Sequence, residues 1–562
     1  MTARTPETSP APHVVVVGGG LAGLASATEL RGRGARVTLV EANDHLGGKM
    51  NVLEDSGFTF DMGPTILTLP EVLSGIIRRA GRRIPDLIDL VRLDPQWRLF
   101  YEDGTVLDLK DGVEPMAEHL DEIFPGTDAG NDFRSFLAYA RRMNRLSRSV
   151  FFYKDVGGIR DVIANAPVAD RDILFDALNM RLHSTVARTI QKHIRDPRVR
   201  QLTEHFLQYV GSSPFLSPAI LTMIASAQLD QGCWYAMGGT RKVARTVETL
   251  ARELGVEIIT GRLVQRIEHA GGRATGVRLD DGTTIPCDGV VSNRDVQRTY
   301  RDLIDSPRAD RQQRLIASGH TPACSGVVLY LGLDRRYDHL AHHNFLFSES
   351  SHDEFEDIYT RGVPARDPTL YIAAPSRTDP AQAPPGGEAL YILVHTPYIR
   401  EGSIQGETDR FLAEYRPVIM DKLARFGMGD IADRIVVEHS LLPRGIERRY
   451  HAEGGAIYGL ASHGRLRGGF KPRNTSPVLD NLFLAGGSVN PGPGVPMVLM
   501  SGVTAADACA RSLGLGSRDL GATSAEPDAT EHRAMAGATT TVAQARAVCT
   551  PRPAPAPREA AV

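Results

Sequence analysis

His13-Val14-Val15-Val16-Val17-Gly18-Gly19-Gly20-Leu21-Ala22-Gly23, followed eighteen residues later by Glu41, is the stretch whose reading decides the fold. The apolar run His13 to Val17 suits a buried parallel strand. Gly18, Gly20 and Gly23 then match G-x-G-x-x-G. A helical pattern continues through Leu24, Ala27 and Leu30 and stops near Gly34. A second strand, Arg36 to Val40, ends at Glu41. Each part has a physical task. Gly18 permits a tight turn, Gly20 admits a pyrophosphate to the backbone, and Gly23 lets helix and strand pack closely. The helix start at Leu21 and Ala22 offers free N–H groups and partial positive charge to phosphates. Glu41 stands where a carboxylate accepts hydrogen bonds from ribose hydroxyls, which disfavours a 2′-phosphate there.

Working outward, the 562 residues exceed one ordinary domain. A hydrophobic fraction of 42% and a charged fraction of 23% are those of a globular protein with ample core. The net charge of −3 gives no electrostatic case for nucleic acid. Cys233, Cys287, Cys324, Cys509 and Cys549 are scattered and form no C-x-x-C pair, so neither a disulfide framework nor a zinc site is expected. No apolar run is long enough to suggest a spanning helix. Met1 to Pro12 lacks a signal-peptide core, so the expected location is cytoplasmic, with contact at a membrane surface left open.

The order of patterns predicts an α/β protein. A Rossmann-type dinucleotide-binding domain is assembled from separated segments 13–110, 238–296 and 478–514. A mainly helical, substrate- and membrane-facing lobe covers 111–237, and a mixed-sheet substrate domain covers 297–477. Residues 1–12 are expected to be a disordered leader. Residues 515–562, rich in Ala, Thr, Arg and Pro, are expected to be a disordered tail. Thr240 to Leu254 reads as a helix and Val256 to Ile259 as a strand. Gly326 to Leu331, Asn344 to Phe347, Thr369 to Ala373 and Ala389 to Val394 read as further strands.

FAD rather than NAD follows from what extends the first motif. Glu41 to Lys49, with Gly47-Gly48-Lys49, resembles the E-x(5,6)-G-G-[RK] segment of the amine oxidase-like flavoprotein superfamily. Asp55 to Thr65, including Gly63-Pro64-Thr65, resembles the D-x-G-F-x-F-D-x-G-P-T stretch of bacterial phytoene and diapophytoene desaturases, in which the Gly-Pro turn lies near the flavin ring. Gly211 to Pro218 with Trp234 to Gly239 is similar to that family's central segment. Arg262 to Ile267 is similar to the strand whose backbone meets the adenine, at Val264, and Val290 to Asn293 to its return strand. Asp480 to Pro496 resembles G-x-x-T-H-P-G-A-G-I-P, whose glycines, here Gly486 and Gly487, approach the flavin. The helix start at Val495, Pro496 and Met497 then faces its pyrimidine edge. The likeness runs from about residue 13 to 514.

The resemblance implies FAD as cofactor, a lipophilic polyene drawn from a membrane surface as substrate, and a quinone or oxygen as electron acceptor. The activity it implies first is carotenoid desaturation by hydride transfer to flavin. Asn490 stands where the family has His, Val489 where it has Thr, Pro493 where it has Ala, and Lys49 where Arg is commoner. The ending Val495 to Gly502 looks closer to carotenoid 3,4-desaturases and terminal-methyl oxygenases, an alternative reading. An amine oxidase or a flavin-free prenyl carrier are further alternatives. The first is disfavoured because Gly486 to Gly502 holds no aromatic residue, the second because Gly18, Gly20, Gly23 and Glu41 are intact.

Trp234, Tyr235 and Met500 are candidate substrate-lining residues, and Pro214 to Ala227 is the candidate membrane-docking stretch. His205, His342, His343, His395, His451 and His463 read as loop histidines without metal-ligand spacing. Asp196 and Glu204 read as surface charges in the helical block. No catalytic side chain and no metal ligand is assigned.

Overall fold

The computed structural model describes residues 10–165, 184–464, 468–518, 520, 533 and 534. Strand β1 (His13–Val17) is buried along its whole length, as its run of stiff β-branched valines favours. Helix α1 (Leu21–Arg31) follows, and then strand β2 (Arg36–Val40). The two strands pair in parallel. Glu257–Ile259 extends the sheet beyond β2, while Gly289–Ser292 and Leu482–Leu484 extend it beyond β1, all in parallel. One sheet of five strands thus draws on four well-separated parts of the chain. Strand order reverses beside β1, the position at which open α/β sheets present a crevice to a ligand.

The C-terminal helix, Val495–Ser512, lies on α1. A Cβ on Gly502 would sit 2.2 Å from the carbonyl oxygen of Ala22, so only glycine lets the helices approach this far. Ser26 Oγ donates to the carbonyl of Gly502 at 2.8 Å and fixes the crossing.

The second large sheet has seven strands in the order Ile435–Leu441, Ser325–Leu333, Glu388–Thr396, Leu370–Ala373, His343–Leu346, Trp97–Phe100 and Val106–Leu109. It is antiparallel except where His343–Leu346 runs parallel to Trp97–Phe100. The strands anticipated at 326–331, 344–347, 369–373 and 389–394 are all in it. Its central strands, Ser325–Leu333 and Glu388–Thr396, are buried throughout because both faces are covered. Val328 and Tyr330, with Tyr391 and Leu393, pack toward the helical lobe. Val327, Leu329 and Leu331, with Leu390 and Ile392, pack against the helix Thr408–Leu423 on the other side.

Two placements differ from the sequence reading. The first cofactor segment was expected to reach residue 110, yet Trp97–Phe100 and Val106–Leu109 form the far edge of the mixed sheet. Period-2 alternation identifies strands but does not say which sheet they join. Arg533 and Ala534, inside the stretch expected to be disordered, pair with Val91 and Arg92, whose strand edge offers free backbone groups. The rest of the anticipated tail beyond Arg518 except Leu520, and residues 1–9 of the anticipated leader, lie outside the described residues.

The helical lobe includes Val113–Ile123, Ala129–Val150, Val186–His193 and Pro197–His205. Asp196 begins the last of these by accepting the backbone N–H groups of Arg198, at 2.8 Å, and Val199, at 3.3 Å. Ala219 to Gln231 is a short tight turn of helix, Ala219–Thr222, continued by the helix Met223–Gln231.

Candidate functional site

At the carboxyl end of β1 the chain turns through Gly18, whose φ is +95° and whose N–H donates to the carbonyl of Val40 at 2.8 Å. The Glu41 carboxylate closes the turn. Its oxygens accept the N–H of Gly19 at 2.6 Å and the backbone and side-chain N–H groups of Asn43, each at 2.8 Å. The acid therefore shapes the loop as well as facing the cavity beyond it. Val264 and Arg262 line the same end.

Asn293, the residue just past the return strand, joins the two ends of the cradle. Its Oδ1 accepts the N–H of Gly23 at 3.2 Å, and its Nδ2 donates to the carbonyl of Ala485 at 3.1 Å. A Cβ on Gly20 or on Gly486 would lie 2.7 Å from one of its amide atoms. The sequence marks Asn293 only by place in a motif, because its partners are remote along the chain.

Gly48, Lys49, Gly63, Pro64, Thr65, Gly486, Gly487, Val495, Pro496 and Met497 line one continuous cavity with Gly18, Gly20, Leu21, Ala22, Glu41 and Val264. Gly23 is not on its wall; it packs behind it against Gly18. Lys49 Nζ donates to the carbonyls of Ala456, at 3.1 Å, and Ile457, at 2.5 Å. Burial brings its pKa down to about 8. Lys471, which the sequence did not single out, repeats the device on the carbonyls of Leu460 and Ala461. Burial lowers its pKa to about 7. The two lysines tether the segment 456–461 over the cavity. Asn490 is buried, and its amide donates to the carbonyl of Lys154 and to Asn474 Oδ1. It holds a loop and is not among the cavity-lining residues.

The cavity, of about 500 Å³, continues from the cradle between the mixed sheet and the helical lobe. Trp97, Phe345, Tyr371 and Tyr391 form its sheet side, and Ile220, Leu221 and Ile224 its helical side. The rings are in contact: Trp97 to Phe345 at 4.8 Å, and Phe345 to Tyr371 at 4.9 Å. A hydrogen-bonded chain runs from Thr65 Oγ1 to the hydroxyl of Tyr371 at 2.5 Å and on to His343 Nδ1 at 2.9 Å.

The three proposed lining residues are elsewhere. Trp234 and Leu67 exchange backbone hydrogen bonds, and the strand Trp234–Ala236 pairs with Leu90–Arg92. This seam buries Trp234 and Tyr235 away from the cavity, and Met500 packs in the core beneath α1. The histidines differ too. His205 ends a helix, and His343 and His395 lie in strands, all buried. His205 and His395 line the cavity as neutral rings, since burial lowers their pKa values to about 3 and about 4.

Nor is Glu204 a surface charge. It is buried and accepts a hydrogen bond from Ser351 Oγ at 2.7 Å, and burial raises its pKa to about 7. Between the unfolded value near 4.5 and about 7 the folded chain holds a proton that the unfolded chain has released. Stability should therefore fall as pH rises through that window, by on the order of 3 kcal/mol in all. Glu204→Gln should remove this part of the slope in urea-unfolding curves taken across the window; an unchanged slope would contradict the assignment.

The residues fit an extended dinucleotide. Glycines line the cavity at both ends, the Glu41 carboxylate faces it, and the helix starts at Leu21 and Val495 open onto it. The flavin-containing amine oxidoreductase family model matches residues 21–510. Across 492 residues the chain is 37% identical to the 4,4'-diapolycopene oxygenase of a Methylomonas species, covering 87% of this chain and 96% of that one. It is likewise 37% identical to the 4,4'-diaponeurosporene oxygenase of Staphylococcus haemolyticus over 494 residues, covering 88% and 96%. Its fold is similar to the crystal structure of an oxidoreductase from Methanosarcina mazei, with a TM-score of 0.60 and 18% identity over 88% of this chain and 99% of that one.

Proposed function

The chain belongs to the flavin-containing amine oxidoreductase family, and from that premise we propose that it is an FAD-dependent oxygenase of a carotenoid, acting on a terminal methyl group of a linear polyene. The observation that carries this reading is the aromatic and aliphatic cavity that opens directly from the glycine cradle. A polyene has no polar handle, so shape and apolar contact must place it. The alternative first implied by the sequence, insertion of double bonds, uses the same cavity. The names of the relatives, both oxygenases, favour oxygenation over it.

When bound, FAD supplies a two-electron acceptor. We assign Gly18, Gly20, Leu21 and Ala22 to its pyrophosphate, with Gly23 packed behind them, Glu41 to the adenosine ribose and Val264 to the adenine. Gly63 to Thr65, Gly486, Gly487 and Val495 to Met497 are assigned to the ring end. Lys49 holds the segment 456–457 over the cofactor instead of reaching a phosphate directly. Trp97, Phe345, Tyr371 and Tyr391 orient the polyene and exclude water beside the Gly63–Thr65 turn.

Among the described residues no helix is long and apolar enough to cross a membrane. Leu216 is 39% exposed, and Ile220, Leu221, Met223 and Ile224 are partly exposed on the helical side of the cavity. We assign this stretch to the membrane surface from which the substrate is drawn.

The test is product analysis. Holoprotein with a linear polyene in liposomes should give products heavier by an oxygen atom in mass spectrometry. Products that have only lost pairs of hydrogens would return the reading to desaturation, and no product from any polyene would end it. Labelled dioxygen against labelled water identifies the oxygen source.

A further inference from the structure

Away from the cradle the cavity is lined mainly by apolar and aromatic side chains, with His205, His395 and two glutamines among its polar ones. Gln208, in the tight turn Phe206–Val210 that follows the helix Pro197–His205, is 5% exposed and lines it. Gln228, on the helix Met223–Gln231, is 1% exposed and lines it too. Gln228 Oε1 accepts the hydroxyl of Tyr209 at 2.6 Å. Its Nε2 finds no protein partner among the described residues, and neither does Gln208 Nε2 or Gln208 Oε1. Buried polar groups are normally satisfied, and these two amides, unlike the similarly open Gln405, lie beside the cavity.

We propose that Gln208 and Gln228 form a hydrogen-bonding subsite for an oxygen atom on the substrate, so that the chain binds a polyene already carrying a terminal hydroxyl or carbonyl group in preference to the parent hydrocarbon. The inference rests on the polyene reading above and narrows its substrate class. The inventory of open groups matches that chemistry. Both Nε2 groups donate, as a carbonyl oxygen requires, and Gln208 Oε1 accepts, as a hydroxyl also requires. Neither amide carries charge, so a carboxylate or phosphate end gains no ion pair here. A hydrocarbon end would bury the same amides with nothing to satisfy them.

The place suits an end group of a molecule reaching the cofactor. Tyr209 lies 5.7 Å from Trp97, ring to ring. From Trp97 the contacts pass through Phe345 to Tyr371, whose hydroxyl meets Thr65 in the turn assigned to the flavin. The subsite and the turn therefore belong to one aromatic wall.

The experiment compares a conjugated hydrocarbon, its terminal alcohol and its terminal aldehyde, of equal chain length, in phosphatidylcholine vesicles. Affinity for the holoprotein is read by quenching of flavin fluorescence. The wild type should bind the oxygenated probes about tenfold or more tightly than the hydrocarbon. Gln208→Leu removes only groups without partners, so it should fold. It should lose that preference while binding the hydrocarbon at least as well. Gln228→Leu, which also frees Tyr209, should lose it in the same direction. A wild type that binds the hydrocarbon equally well, or a Gln208→Leu protein that keeps the full preference, overturns the subsite and leaves the polyene reading standing. A wild type that binds none of the three overturns both.

Discussion

Replacing Gly23 by alanine should give a protein that purifies with little or no flavin. A Cβ at this position would lie 2.0 Å from the carbonyl oxygen of Gly18 and 3.1 Å from its carbonyl carbon, so the atoms in the way are backbone. Neither can swing aside as a side-chain tip can. Relief requires α1 to move away from the end of β1, and with it the N–H groups at Leu21 and Ala22 assigned to the pyrophosphate. The same shift stretches the bond from the Gly23 N–H to Asn293 Oδ1, the residue that links this loop to Ala485 on the other side of the cradle. Overpacking costs about 1–3 kcal/mol where side chains can adjust, and more where they cannot. That corresponds to a loss of FAD affinity of at least about tenfold to a hundredfold. The ratio of flavin absorbance to protein absorbance after desalting measures it. Gly319→Ala, where a new Cβ meets nothing, should keep its flavin. A Gly23→Ala protein as yellow as that control would refute the packing argument.

The parts of this molecule legible in its sequence are those whose cause is local. The valines of β1, the glycines that follow and Glu41 act on neighbours within one strand–helix–strand unit, so spacing alone assigns their tasks. Lys49 shows the limit. Its place after Gly47-Gly48 marks a cation beside the cradle, but its direction is set by the carbonyls of Ala456 and Ile457, some four hundred residues on. Trp234 and Tyr235 are large and apolar, which sequence cannot distinguish from a tunnel wall. Their pairing with Leu90–Arg92 makes them a seam. Trp97, Phe345 and Tyr371 line the cavity because three strands distant in sequence are neighbours in one sheet. Gln208 and Gln228 carry no motif, and only the buried amide atoms left without partners mark them.

Asp507→Ala should be the most destabilising of the single changes considered. Asp507, on the C-terminal helix, accepts Arg33 Nη1 at 2.6 Å, and both side chains are buried. Glu29 on α1 lies 4.0 Å from Arg33 and 2.5 Å from Arg79, on the helix Pro70–Arg79. Buried acids and bases thus meet where α1, the helix Pro70–Arg79 and the helix Val495–Ser512 come together. Removing Asp507 leaves the buried Arg33 guanidinium with Glu29, 4.0 Å away and already held by Arg79, as its remaining carboxylate among the described residues. Breaking such a pair costs about 3–5 kcal/mol, because the remaining charge is left without compensation. The other partner of Asp507, Arg511, is 56% exposed, and Arg511→Ala should cost no more than about 1 kcal/mol. Urea-unfolding midpoints compare the two directly. If they coincide, the buried pair contributes nothing beyond a surface one. The double change Arg33→Met with Asp507→Leu removes both charges together and should recover most of the loss. The effect should reach the cofactor too. The helices that Arg33 and Asp507 join begin at Leu21 and at Val495, the two ends assigned to FAD, so a protein loosened here should release flavin at lower urea than it unfolds.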